Sequence, residues 1–261
     1  MRAAGLLRTF TPGARRARQD GFTLIEVLVS MVIMGVVSTM LVGTWIVLTH
    51  SAAFAQADNT AAATARDASD RATTELRDAQ PPTTNSLNPF IFSVACTYPT
   101  NAGTLTCDAN DCVFYSSYNN PLTAAQSGTS GLGQVLPTAV YLDTSGSTAQ
   151  KTLWWVRDTN NDGAFDAGDK AIKLATNVVN TASSVNKPIF TYTFATTSGS
   201  TTTYSTSTSL TSTTVWNPPT SSLVSIQVEL VIDANLSDKP TYVDLVSVVR
   251  PRNVGTSTSG S

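Results

Sequence analysis

One carboxylate, Glu26, stands four residues into a stretch that is otherwise apolar from Phe22 to Leu48. A charge inside a membrane-length segment costs several kcal/mol unless something pairs with it, so Glu26 asks for a partner. Two other groups of residues have types and spacings that could do chemistry. Cys96, Cys107 and Cys112 fall within 17 residues of one another, and Asp158 to Asp169 reads "DTNNDGAFDAGD".

Clustered cysteines outside the cytosol read as one disulfide plus one leftover thiol. In a hairpin folded about Asn101-Ala102, Cys96 would face Cys107. In one folded about Ala109-Asn110, Cys107 would face Cys112. We expect Cys96 with Cys107, and keep Cys107 with Cys112 as the alternative. Zinc is a poorer fit, because three thiolates lack a fourth ligand and the one histidine, His50, sits at the end of the apolar run.

The acidic stretch places oxygen donors at Asp158, Asn160, Asp162, Asp166 and Asp169. Gly163 stands at the sharp bend, and Ala164 at the position that offers a backbone carbonyl. This follows the calcium-loop pattern D-x-N-x-D-G with a carboxylate at the twelfth position. It departs from that pattern in having Asp rather than Glu at the twelfth, and strand-like rather than helical flanks. An ion-free Asp-Gly turn between strands is the competing reading. No cofactor is required on either reading, and Ca²⁺ would order the loop rather than catalyse.

Composition narrows the classes further. The chain has 261 residues, 13% charged, with a formal net charge of -2. That charged share is roughly half the usual one. The balance gives no support for nucleic acid as a partner. It suits an extracytoplasmic β-rich domain better than a cytosolic enzyme. No nucleophile elbow, phosphate loop, His-based metal site or redox CxxC pair is present. The expectation is a protein that is not an enzyme.

The 27 residues from Phe22 to Leu48 exceed the roughly 20 that a membrane-spanning helix needs. Arg2, Arg8, Arg15, Arg16 and Arg18 precede them, against Asp20 alone. This bias keeps the N-terminus cytoplasmic and sends the C-terminal domain outward. A secretory signal cut after Ala53-Phe54-Ala55 is one reading, but its apolar core would be about twice the expected 7 to 15 residues. An uncut signal anchor fits the length and leaves Glu26 unexplained.

"GFTLIEVLVS", Gly21 to Ser30, resembles the cleavage and methylation segment of type IV prepilins and type II secretion pseudopilins. The resemblance implies that a prepilin peptidase and N-methyltransferase cuts after Gly21 and methylates Phe22. It also implies that Glu26 pairs with the N-terminal amine of a neighbouring subunit as it docks into a growing fibre. An ammonium in a low-dielectric medium needs a partner as badly as a carboxylate does. The competing reading has Glu26 snorkelling to the cytoplasmic headgroups. Asp20 departs from the family pattern, in which a basic residue commonly precedes the glycine.

Past Leu48 the chain is alanine-rich, and neither proline nor glycine interrupts Thr44 to Gln80. The helix should therefore continue to Gln80. Phe54, Ala57, Ala61, Ala65, Ala68, Ala72, Leu76 and Ala79 form a weakly apolar stripe able to rest on a sheet. From Phe90 the pattern changes to period two. Short strands are expected in "FIFSVACTY", "TLTCD", "VFYSSY", "AVYLDT", "KTLWWVRDT", "AIKLATNVVN" and "PIFTYTF". In "SLVSIQVELVIDA", Val224, Ile226, Val228, Leu230 and Ile232 should share a face, with "TYVDLVSVVRPRN" as the pairing strand. Residues 196–214, mostly Ser and Thr, should form an exposed flexible loop.

The expected fold is α+β, a long N-terminal helix packed on an antiparallel sheet. It resembles the larger minor subunits of the family, of the PilW or GspJ kind. The expected divisions are a leader at 1–21, a membrane or filament-core helix at 22–48, an amphipathic extension at 49–80, a β-rich domain at 81–255 and a disordered tail at 256–261. The implied partners are the prepilin peptidase, other pilin subunits, the assembly platform and the membrane. The implied location is the cytoplasmic membrane, then a filament at the cell surface. A membrane-anchored surface module that binds calcium or a ligand and never polymerises is the alternative.

Overall fold

The computed structural model of the protein describes residues 23–81, 88–118, 135–145, 150–210, 221–234 and 242–251. It falls into two compact units, Met1–Ala52 and Ala53–Ser261. A single helix, α1 (Leu24–Arg77), starts in the first and ends in the second. The helix is long and apolar enough to cross a membrane.

In the first unit every described residue is exposed. The helix starts at Thr23, whose carbonyl accepts from the Glu26 and Val27 amides at 3.0 and 3.3 Å. Thr23 and Glu26 have the Thr-x-x-Glu spacing of a capping box. A carboxylate in the first turn also meets the positive end of the helix dipole. Leu24, Ile25, Met31, Met34 and Met40 are among the large apolar side chains left bare. A Cβ added at Gly35 or Gly43 would meet nothing within 4 Å.

Among the described residues of the second unit, ten strands follow the helix. They are β1 (Val94–Cys96), β2 (Gly103–Leu105), β3 (Asp111–Ser116), β4 (Leu136–Asp143), β5 (Lys151–Arg157), β6 (Lys170–Val178), β7 (Phe190–Ser198), β8 (Thr201–Ser207), β9 (Ser221–Asp233) and β10 (Tyr242–Val249). β1 and β2 form a separate hairpin. The other eight strands make one antiparallel sheet in the order β3-β4-β5-β6-β9-β7-β8, with β10 paired to β9.

The alanine stripe lies on this sheet. Ala65, Ala68, Ala72, Leu76 and Ala79 have no exposed surface, and Ala61 is also buried. Phe54 and Ala57 are half-buried, so the stripe seats fully only from Ala61 onward. The helix stops at Arg77, short of the expected Gln80, because the chain joins the sheet edge there. Ala79 bridges Ser116, and the Gln80 amide donates to the Tyr115 carbonyl at 2.9 Å.

The β9–β10 hairpin pairs as expected, with Ile232 opposite Val243 and Ile226 opposite Val249. Ile226, Val228, Leu230 and Ile232 are buried, whereas Val224 is only half-buried and Leu223 takes its place in the core. A bulge causes this. The register between β7 and β9 shifts between Thr193 and Phe194, which face Ser225 and Leu223, leaving Val224 as the extra residue.

The Ser/Thr run differs more. Its described part is an ordered hairpin, not a flexible loop: β7 and β8 pair from Tyr192↔Ser207 to Ser198↔Thr201. Threonine is a good strand former, and Gly199 at φ 62° supplies the left-handed turn position. Exposure was expected and is present, since Thr201 to Thr206 are all exposed. Residues 211–214 of the run lie outside the described residues.

Candidate processing and assembly site

Gly21 and Phe22, the residues of the expected cleavage, lie outside the described residues. Glu26 is exposed in the first turn of α1. Its carbonyl accepts from the Ser30 hydroxyl at 2.7 Å. This bare turn holds a carboxylate next to the expected new N-terminus, available to an amine from another chain.

The structure separates Cys96 from Cys107. Cys96 pairs with Gly103 across the β1–β2 hairpin, because the turn spans residues 97–102 rather than closing tightly about Asn101-Ala102. The Cys96 thiol instead donates to the Tyr98 carbonyl at 3.4 Å. The alternative pair is brought together, with the Cys107 and Cys112 sulfurs 3.9 Å apart and both side chains buried. All three cysteines are free thiols. Burial, and then the neighbouring Cys112, pushes the Cys107 thiol well above its ordinary value.

The acidic loop joins β5 to β6. Asp158, fully buried, accepts from the Asn161 amide through Oδ1 and from the Gly163 amide through Oδ2. Asp162 Oδ1 accepts from the Ala164 amide, and Asp166 Oδ1 from the Gly168 amide. Asp169 accepts from the Thr159 and Asp166 amides at 2.8 and 2.9 Å. Asn160 donates to Asp162. Phe165, with no exposed surface, plugs the loop against β1, exchanging main-chain bonds with Ala95 and Thr97. Gly163 at φ 87° makes the bend. The carboxylates are thus turned to the loop's own amides. Among the described residues no group of three or more His, Cys, Asp or Glu side chains is placed to hold a metal ion. The carboxylate–amide hydrogen bonds close the loop. Burial raises the Asp158 carboxyl above its ordinary value, the two amide bonds working the other way.

Sequence reasoning missed a buried ion pair that pins the helix to the sheet. Arg157 Nη2 donates to Glu75 Oε2 at 2.8 Å, and the Ser116 hydroxyl donates to the same oxygen at 3.0 Å. Arg157 also donates to the Thr138 hydroxyl and the Tyr118 carbonyl. Both Arg71 and Arg157 lie against the ring of Trp155, 4.6 and 5.0 Å from its centre. Burial pushes the Glu75 carboxyl up and the Arg157 guanidinium down, while each charge works against the shift of the other. Pairing therefore offsets only part of the desolvation cost. One signal was readable: Glu75 falls beside Leu76, on the side of the helix that the stripe buries.

Residues 16–42 match the family model for the prokaryotic N-terminal methylation motif. The match takes in Gly21, Phe22 and Glu26, together with the start of α1. It supports a type IV pilin-like precursor, for which the motif implies processing by prepilin peptidase and assembly with other pilins. No curated protein matches the chain, and no solved structure does.

Proposed function

We propose that the protein is a structural subunit, a minor pilin or pseudopilin, of a type IV pilus-like filament. Prepilin peptidase cuts it between Gly21 and Phe22 and methylates Phe22. The subunit then leaves the membrane by stacking its helix against those of other subunits, guided by the assembly platform. Glu26 fixes the register by pairing with the amine of a neighbour. The N-terminus lies in the cytoplasm and the β-rich domain outside, and the role is structural rather than catalytic.

The observation that carries this reading is the methylation motif at the head of an apolar helix whose described residues up to Ala53 are all bare. Exposed apolar surface of that extent needs lipid or protein to cover it. Intact mass and N-terminal sequencing of the protein from native membranes test the proposal. The expected chain begins with N-methylated Phe22. A chain still starting at Met1 would leave an anchored surface domain, and a start at Gln56 would make the segment a secretory signal.

A further inference from the structure

The geometry points to a disulfide between Cys107 and Cys112, formed outside the cytoplasm, that staples the turn on which β4, β7 and Leu210 dock. The inference rests on the extracytoplasmic placement proposed for the β-rich domain.

The turn 107–112 is a docking hub. The Cys107 carbonyl accepts from the Leu210 amide at 2.8 Å, and the Ala109 carbonyl from the Ile189 and Phe190 amides at 2.8 and 3.0 Å. The Asn110 carbonyl accepts from the Leu142 amide at 3.1 Å. The Tyr192 hydroxyl lies 3.3 Å from the carbonyls of both Asp108 and Asp111. Every main-chain acceptor from Cys107 to Asp111 is thus used, so the turn must hold one conformation for three distant segments to seat.

The two sulfurs are placed to supply that rigidity. They lie 3.9 Å apart on the two limbs of the turn. Bonding needs about 2 Å of approach to reach a disulfide length, within the reach of side-chain rotation. Loss of the Cys107 proton gives up its bond to the Val113 carbonyl and a long one to the Ile91 carbonyl at 3.5 Å. The Val113 carbonyl, which accepts from Cys107 at 3.1 Å, also accepts from the Ile91 amide at 2.9 Å. The Val113 amide donates to the Cys107 sulfur at 3.2 Å, and a disulfide sulfur still accepts it. Cys96 does not compete, since its strand partner is Gly103 and its thiol is held by Tyr98.

The co-reactant is the disulfide of an extracytoplasmic thiol–disulfide oxidoreductase. One cysteine thiolate attacks it to give a mixed disulfide, and the second displaces the enzyme sulfur. Two electrons pass from the cysteine pair to the oxidoreductase. Its sulfurs leave as a dithiol, which accounts for the two protons. Both thiols are buried in the folded domain, so the exchange occurs before the core closes.

The test is to block thiols of the full-length protein in denatured, unreduced native membranes, then map the peptides by mass. The expected result is a blocked Cys96 and a peptide carrying Cys107 and Cys112 unblocked, two hydrogens lighter than its reduced form. The same bond should persist in Cys96→Ser. A bond that includes Cys96 would overturn the pairing. Refolding the reduced full chain in detergent with glutathione disulfide separates the two premises. A bond formed there, with free thiols in cells, upholds the pairing and overturns the extracytoplasmic placement. No bond in either setting overturns the pairing.

Discussion

At the residue scale, Asp111 shows what the hub turn costs. Its half-buried carboxyl is pushed up to about 7 by burial and by the Asp108 carboxylate, against one main-chain hydrogen bond from Thr106. An unfolded aspartate titrates near 3.9. Between those limits the folded chain holds a proton that the unfolded chain has lost, so stability falls as pH rises through the window. The slope approaches about 1.4 kcal/mol per pH unit where the two states differ by a whole proton. Allowing for partial exposure, Asp111→Asn should raise stability at pH 8 by about 2 kcal/mol and leave it nearly unchanged at pH 4. Urea unfolding of the detergent-purified chain at both values checks this, and an equal effect at the two would refute it. The acidic residues of the 158–169 loop were legible in the sequence as a group of oxygen donors. Their use was not, because whether a carboxylate faces an ion or the neighbouring amides depends on side-chain rotation. Spacing does not encode that.

At the scale of elements, the helix rests on the sheet through methyl groups, and small side chains give close contact but little interlocking. Specific seating falls to a few polar contacts. One is the Ser69–Ser247 hydroxyl pair at 2.7 Å, which ties the helix to β10, and another is Glu75 with Arg157 on β5. Removing one partner of a buried pair leaves the other uncompensated. Arg157→Met should therefore destabilise the domain by about 3–5 kcal/mol, and Glu75→Leu added to it should recover most of that loss. Denaturant unfolding of the single and double variants measures the difference. If the losses simply add, the pair does not pin the helix. The helix and the β9–β10 hairpin were legible because each repeats one period for several turns or residue pairs. The bulge at Val224 was not, since a single inserted residue leaves the composition of the strand unchanged. The β7–β8 hairpin was hidden by composition, because Ser and Thr suit a solvated loop and an exposed strand equally well. Only Gly199 marked the turn.

At the scale of the whole molecule, the proposed function separates two requirements. Processing needs the motif around Gly21, whereas assembly needs the carboxylate of Glu26. Glu26→Ala should thus be cut and methylated at Phe22 like the parent, yet be lost from sheared filaments by tenfold or more. Immunoblots of the membrane and filament fractions measure both, and full incorporation would remove the assembly role from Glu26. The β-rich domain carries a second surface with a different character. From Ser198 to Ser207 the hairpin bears no Asp, Glu, Lys, Arg or His. Tyr204 contributes the sole phenol and is 69% exposed. Most exposed strands are guarded by charge, and that protection weakens as ions accumulate or carboxylates protonate. This ribbon keeps the same face in brackish or fresh water, in acid or at neutrality, because there is nothing on it for ions to shield.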